Sequence, residues 1–222
     1  VGHQQHLLHA AEMSAVASHP RPPTSAARRE AVVRVALAGL WLGCLQTALF
    51  FELTLLLSSS FVAYSVLLVS WLGGSIAGVW ARSARATRWL VLGAALAPYA
   101  LHGALTLAPY SLAMLPVAAL LTGACGAFAG HLFQAERTSL GGLDRLFFVE
   151  GLGFLAGLAA ALLAALLVGR GVLWAAPAIG GLVLLALYTR SRGPEAPPPD
   201  PRPAAPPPAA TPRRPPKKKK RR

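Results

Sequence analysis

Stretches of about 20 mainly apolar residues recur along this chain, and they constrain its fold more than any other feature. An α-helix needs a stretch of this length to cross a bilayer. The chain is 55% hydrophobic and 13% charged, about half the charged fraction of an ordinary globular domain. The pattern predicts an all-α, polytopic membrane protein with about six transmembrane helices. The predicted spans are 32–57, 61–80, 89–107, 112–133, 146–168 and 172–188.

The basic residues between these spans predict their orientation. Cytoplasmic loops of membrane proteins carry the excess of Lys and Arg. Here the basic residues fall before or at the very start of the first span, in alternate loops, and after the sixth span, whereas the intervening turns hold only Arg170. Both termini are therefore predicted to be cytoplasmic, with the protein in an inner (plasma) membrane of bacterial type. The arginines that mark the cytoplasmic side are Arg21, Arg28, Arg29, Arg34, Arg82, Arg85, Arg88, Arg137 and Arg145.

Composition predicts three segments. Residues 1–30 are predicted to form a disordered arm, 31–188 the six-helix transmembrane domain, and 189–222 a disordered, proline-rich, polybasic tail. His3, His6 and His9 have a spacing that could suggest metal binding, but on a disordered arm we expect no metal site. From Arg190 onward there are eleven basic and two acidic residues, so the tail supplies most of the formal net charge of +13.

The composition of the tail favours anionic lipids as partners and argues against nucleic acid. Its final run PPKKKKRR would be attracted to anionic lipid headgroups by about 1 kcal/mol per basic residue near the surface. Alternatively, it is a solvated end that only reinforces the topology. It lacks aromatic interleaving and a folded reading module, so nucleic acid is not an expected partner.

The segment GLGFLA, residues 151–156, matches the bare pattern of a dinucleotide-binding loop. Such a loop needs a preceding strand, an exposed helix start and an acidic residue about 20 positions later. These glycines instead lie inside an apolar span, so no nucleotide cofactor is expected. Glycines four residues apart let membrane helices approach closely. The predicted packing pairs are Gly74 with Gly78, Gly126 with Gly130, and Gly153 with Gly157.

Four ionisable side chains within the spans are the candidate functional residues: Glu52, His102, His131 and Glu150. Charges at membrane depth are costly and often functional. The topology places Glu52 and His102 in the outer half, and His131 and Glu150 near the cytoplasmic side. We therefore expect two carboxylate–imidazole pairs, one in each layer. Such a pair can relay a proton or bind a cation, although an interfacial or packing role for each residue is the alternative.

Signatures of catalysis are scarce in this sequence. Gly74 and Ser75 look like part of an intramembrane serine protease motif, but Ile76 follows where that motif has glycine, and the sixth span has no histidine partner. The hydrophilic loops are too short for a soluble active site. No catalytic residue, metal or other cofactor is predicted, and this chain is not expected to be an enzyme.

Three stretches resemble the membrane domain of polytopic spermidine-synthase-like proteins. FELTLLLSSSFVAYSVLLVSWLGGSIAG is similar to the family's opening Glu-Leu and glycine-rich second helix, and TGACGAFAGHLFQAE to its small-residue fourth helix, without that helix's usual proline. RLFFVEGLGFLAGLAAALL resembles the fifth-helix pattern. The match gives Glu52 the opening glutamate position and Glu150 the acidic or amide position. GGSIAGVWARSARATRW has a weaker likeness to half of a major-facilitator transporter, without the usual aspartate.

The resemblance implies two alternative functions. Family members often carry a soluble aminopropyltransferase-like domain after the helices, and only the proline-rich tail stands there in this chain. One expectation is a membrane module that moves a small solute, such as a cationic polyamine. The other is a non-catalytic anchor or scaffold for a separate soluble synthase-like partner.

Overall fold

A computed structural model describes residues 24–57, 60–81 and 83–190, and it is helical over almost all of them. The six long helices in these ranges are each long and apolar enough to cross a membrane. This confirms the prediction of an all-helical chain with six such helices. A short 3-10 helix, Leu112–Met114, precedes α4. The long helices are α1 Ser25–Leu57, α2 Ser60–Val79, α3 Ala84–Leu107, α4 Leu115–Glu136, α5 Leu143–Val168 and α6 Val172–Arg190.

The first helix begins earlier than the hydropathy pattern predicts. Residues 25–30, which we predicted to belong to a disordered arm, form the first turns of α1. The Thr24 hydroxyl accepts a hydrogen bond from the Ala27 amide at 3.3 Å and so caps the helix. Alanine, arginine and glutamate follow, and these residues favour helix even where they are too polar for a bilayer. Residues 1–23, with the three histidines, lie outside the described residues, as do 191–222 of the predicted tail.

The described helices alternate in direction. Helices α1, α3 and α5 begin at one end of the bundle, which we call the Arg34 end, and α2, α4 and α6 begin at the other, which we call the Glu52 end. Helix α1 packs most extensively against α5, and α2 against α4. Helices α3 and α6 pack against each other, with α3 also on α4 and α6 also on α1.

Glycines on both helices bring α1 and α5 into backbone contact. A Cβ atom on Gly153 would overlap the carbonyl of Ala36, and one on Gly157 would lie 2.9 Å from the Cα of Leu40. The contact is reciprocal, because a Cβ on Gly39 would overlap the carbonyl of Glu150. Gly43 approaches Phe154 in the same way. Each larger residue here would push the two helices apart.

Helices α2 and α4 meet through the same device. A Cβ on Gly74 would lie 2.8 Å from the Cα of Gly123, and one on Gly78 would lie 2.8 Å from the Cα of Ala127. On the other side, a Cβ on Gly126 or Gly130 would overlap the backbone of α2 at Trp71 and Ser75 respectively. Glycines thus meet the backbone of the partner helix in two helix pairs, α1 with α5 and α2 with α4. The two helices of each pair run parallel.

The glycine contacts and a cleft between three helices lie at different positions along the bundle. The α2–α4 contacts lie in the last third of α2, towards the Arg34 end, and the α1–α5 contacts end near the middle of α1. Beyond that point a cleft of about 260 Å³ opens between α1, α2 and α5. The bundle is therefore tighter towards the Arg34 end. The cleft is lined by Gln46, Thr47, Phe50, Tyr64, Leu67, Leu158 and Leu162.

Two helices contain an internal proline, and a neighbouring helix binds the backbone near each. Pro98 has no N–H to offer the carbonyl of Ala94, and the Cys125 thiol of α4 donates to that carbonyl at 3.6 Å. In α6, the Trp41 indole N–H donates to the carbonyl of Pro177 at 3.0 Å. These bonds fix α3 to α4 and α1 to α6, the four helices that hold the polar side chains described next.

Candidate functional site

The described structure brings Glu52 and His102 together, as the sequence led us to expect. Nδ1 of His102 lies 2.8 Å from Oε2 of Glu52, so the ring donates to the carboxylate. Glu52 stands about five residues, or roughly 8 Å, before the end of α1. Its side chain is 14% exposed, while that of His102 is 41% exposed. The pair is thus reachable from the Glu52 end although the carboxylate itself is largely covered.

Two aromatic residues complete this site. The rings of His102 and Trp174 meet edge to face with centroids 4.3 Å apart, and Tyr99 lies 5.5 Å from Trp174. The Tyr99 hydroxyl donates to the backbone carbonyl of Trp174, in the first turn of α6. Three helices therefore build the site: α1 supplies the carboxylate, α3 the imidazole, and α6 an aromatic wall.

The Glu52–His102 pair retains unused hydrogen-bonding capacity. Among the described residues, neither the second oxygen of Glu52 nor Nε2 of His102 has a hydrogen-bond partner. A carboxylate with a free oxygen, bonded to an imidazole that packs against Trp174, is suited to bind a compact organic cation through a charge-assisted hydrogen bond.

The structure does not bring His131 and Glu150 together. Nδ1 of His131 lies 2.6 Å from the carbonyl oxygen of Ala81, and Nε2 lies 2.7 Å from the Thr87 hydroxyl. A carbonyl can only accept, so Nδ1 donates to Ala81, and Nε2 shares a second hydrogen bond with the Thr87 hydroxyl. His131 therefore fixes the end of α2 and the start of α3 to α4, which is a structural role.

Glu150 stands apart from the other candidate residues. It lies on α5, where its backbone carbonyl contacts the Gly39 position of α1, and its side chain is half-buried. Within the described ranges, its carboxylate has no hydrogen-bond or ion-pair partner. The expected partner, His131, is engaged elsewhere, because its two ring nitrogens bind groups of α3 and of the residues just after α2.

An ion pair that the sequence analysis missed occupies the Arg34 end. Nε of Arg34 lies 3.1 Å from Oε1 of Glu136, and a second guanidinium nitrogen lies 3.1 Å from Oε2. Glu30 contributes a further bond to Arg34 at 3.0 Å. The side chains of Arg34 and Glu136 are only 13% and 5% exposed. This fork-to-fork geometry joins α1 to α4.

Hydropathy alone did not predict the Arg34–Glu136 pair, because it placed both residues at the cytoplasmic edge. Arg34 was counted as a basic residue at the cytoplasmic edge, and Glu136 lay three residues past the predicted fourth span. Helix α4 continues to Glu136, however, and the long α1 carries Arg34 inside the bundle. The sequence did offer one signal for this ion pair: a residue of opposite charge near the end of each of two helices, Arg34 on α1 and Glu136 on α4.

Tyr188 lies in the same region as this ion pair. It is 8% exposed, and it lies close enough to both Glu136 and Arg34 to interact with them electrostatically. Its hydroxyl is buried and has no hydrogen-bond partner among the described residues. Helix α6 thus places a spare hydrogen-bond donor near a saturated ion pair.

A packed apolar layer lies between the Arg34–Glu136 pair and the Glu52–His102 pair. The indole of Trp41 is 2% exposed and meets the Phe128 ring edge to face at 5.4 Å. Gly180 makes room for the indole, since a Cβ there would overlap the Trp41 ring. Leu45 and Leu101 are fully buried in the same core. The layer gives the two ends of the bundle separate polar environments.

Comparison with known proteins yields no assignment: no protein family model, no curated protein and no solved structure matches this chain. Function must therefore be argued from the polar groups themselves.

Proposed function

We propose that this protein is a six-span carrier for a small cationic solute and that Glu52 and His102 form its binding site. The observation that carries the proposal is the 2.8 Å bond between a largely covered carboxylate and a half-exposed imidazole inside an apolar bundle. An ionisable pair at membrane depth is expensive to maintain, and in membrane proteins it commonly marks a solute or proton site.

The predicted orientation of the chain assigns a cytoplasmic end and an outer end to the proposed carrier. With the basic loops on the cytoplasmic side, the Arg34 end is cytoplasmic and the Glu52 end faces outwards. The accessible His102 and the 260 Å³ cleft both lie towards the outer end, whereas the Arg34–Glu136 pair and the α2–α4 glycine contacts lie towards the inner end. The arrangement corresponds to a carrier whose outer side is the more open one.

The resemblance to spermidine-synthase-like membrane domains stays a proposal, and it selects the first solutes to test. Polyamines combine ammonium groups with a short apolar chain, which matches a site made of the Glu52 carboxylate, His102 and the aromatic residues Trp174 and Tyr99 that pack beside His102. We therefore choose 1,4-diaminobutane and spermidine as cationic probes, with aspartate as an anionic control.

Uptake into proteoliposomes tests the function. The full-length chain is reconstituted, and radiolabelled probe is measured inside the vesicles with and without a pH gradient. We expect uptake of a cationic probe, no uptake of aspartate, and loss of uptake in the Glu52→Gln variant. Glu30→Gln is the matched control because it removes a carboxylate of the same helix at an exposed position (58% exposed), and it should retain uptake.

The results separate the carrier from the scaffold hypothesis. Equal uptake by the parent protein and Glu52→Gln would remove Glu52 from the site. A folded parent protein that moves no cationic probe, but that co-purifies with a soluble synthase-like enzyme in native mass spectrometry, would favour the anchoring role.

A further inference from the structure

We propose that Glu52 binds protonated His102 and the cationic solute in turn, so that one proton leaves the site for each cation that enters. The inference rests on the proposed function and adds its coupling ion. It makes the protein a proton–cation exchanger instead of a uniporter.

The number of negative charges at the site limits how many cations it can hold. Glu52 is the only carboxylate there among the described residues. Helix α6 has no ionisable side chain before Tyr188, and α3 contributes only Tyr99 and His102 over its last turns. One carboxylate can balance one positive charge. Because a second cation within a few ångströms would be repelled in a poorly solvated site, the imidazolium and an ammonium group exclude each other.

The remaining charged and titratable groups near the Glu52 end do not alter this count. Tyr64 lies on α2, and its ring lines the cleft between α1, α2 and α5. Tyr110 is exposed in the turn after α3, and Arg170 is exposed in the turn before α6. Tyr99 directs its hydroxyl at the Trp174 carbonyl. The second half of α5 and the first half of α4 carry no ionisable side chain except the buried Cys125 thiol, which bonds Ala94.

The exchange step balances in atoms and charge. Before exchange, His102 carries protons on both ring nitrogens and donates from Nδ1 to the Glu52 carboxylate. The ammonium group of the solute then takes the place of that donor at the carboxylate. One N–H bond of the imidazolium breaks, and its proton passes to water through the exposed side of the ring. The carboxylate stays ionised throughout, so one positive charge replaces another.

The chemistry of the site favours an organic cation. One carboxylate and one imidazole fall short of the four ligands that a tightly bound Zn²⁺ requires. In the part of the chain that the structure describes, no three His, Cys, Asp or Glu side chains gather to hold a metal. Trp174, whose ring contacts His102, and Tyr99, whose ring contacts Trp174, instead supply aromatic rings beside the imidazole, and such rings attract alkylammonium groups.

Calorimetry of the full-length protein in detergent tests the exchange. Binding of the monocation 1-aminobutane is titrated at pH 6 in two buffers of different ionisation enthalpy, and the difference gives the number of protons released. We expect a release approaching one proton per bound cation, with affinity that falls by up to about tenfold per pH unit as the solution is acidified. In His102→Gln, proton release should vanish and the affinity should stay constant over the same pH range.

Two further variants make the outcomes distinct. Glu52→Gln should weaken binding by about tenfold or more, since a charge-assisted bond is lost, while Glu30→Gln should bind and release protons as the parent does. Binding without proton release in the parent protein overturns the exchange and leaves the carrier function standing. Equal proton release in the parent and His102→Gln overturns it too. No binding of any cationic probe by the folded parent protein overturns both proposals.

Discussion

Two carboxylates of the described structure, Glu136 and Glu52, each bind a basic side chain, and the surroundings of the two pairs are opposite. Arg34–Glu136 is bidentate, nearly buried and further bonded by Glu30. Glu52–His102 is a single hydrogen bond with one half-exposed partner and unused positions on both side chains. A permanently charged, saturated pair fixes α1 to α4, while a titratable, unsaturated pair can change partners. The difference indicates a structural role at the Arg34 end and a functional one at the Glu52 end.

The polar groups around each pair extend this comparison. At the Arg34 end, His131 engages both ring nitrogens, and glycines hold α2 against α4 in backbone contact. Towards the Glu52 end, a cleft lined in part by Gln46 and Leu158 opens between α1, α2 and α5. Three variants test this contrast, in order of expected effect.

Glu136→Gln should cause the largest loss of stability. It takes the bidentate carboxylate away from a largely buried Arg34 guanidinium, and breaking a buried ion pair from one side costs about 3 kcal/mol. Thermal unfolding in detergent micelles, followed by circular dichroism, should show a clearly lower midpoint. Glu30→Gln, at an exposed position of the same network, should cost less than about 1 kcal/mol. Equal effects would mean that the buried pair contributes little.

Gly157→Ala should destabilise the protein by an intermediate amount. The added methyl group would overlap the backbone of Leu40, and overpacking of this kind costs about 1–3 kcal/mol. Gly151 is the matched control, because it lies on the same helix and a Cβ there meets no atom within 4 Å. Gly151→Ala should leave the unfolding midpoint unchanged or raise it, because alanine favours helix more than glycine does. Equal lowering of the midpoint by both substitutions would show that overlap with Leu40 is not the cause.

Glu52→Gln should change stability least. The neutral amide can still accept from His102, and a partly exposed pair contributes less than about 1 kcal/mol. We therefore expect an unfolding midpoint near that of the parent protein together with lost uptake and weakened cation binding. A loss as large as that of Glu136→Gln would show that both ends are structural and would remove the contrast between them.

Much of the fold could be predicted because the bilayer imposes a one-dimensional rule. A helix that crosses it must be apolar over about 20 residues, so hydropathy located all six helices. The helix ends were harder: Thr24 and Ser83 cap α1 and α3 in polar sequence before the apolar residues begin. The packing glycines on α2, α4 and α5 were visible as spaced pairs, whereas Gly39 and Gly43 on α1 were overlooked.

The candidate site was only half predictable, for a reason that concerns rotation about helix axes. Depth along a helix follows from residue number, and it correctly put Glu52 beside His102 in the described structure at 2.8 Å. Depth also put His131 and Glu150 in one layer, but the two side chains face different neighbours. Glu136 and Arg34, which were assigned to the cytoplasmic edge, meet because α4 and α1 are longer than their apolar cores.

The sequence by itself determined that the described part of the chain is helical, how many of its helices are long and apolar enough to cross a membrane, and where along its helix each polar residue lies, because these properties depend on the order of apolar and polar residues along the chain. Tertiary structure alone decided which polar groups meet. Partner choice depends on how each helix is rotated and how closely it approaches its neighbours. Those two quantities are set by the paired glycines and by bonds such as Trp41 to Pro177, which join residues far apart in the chain.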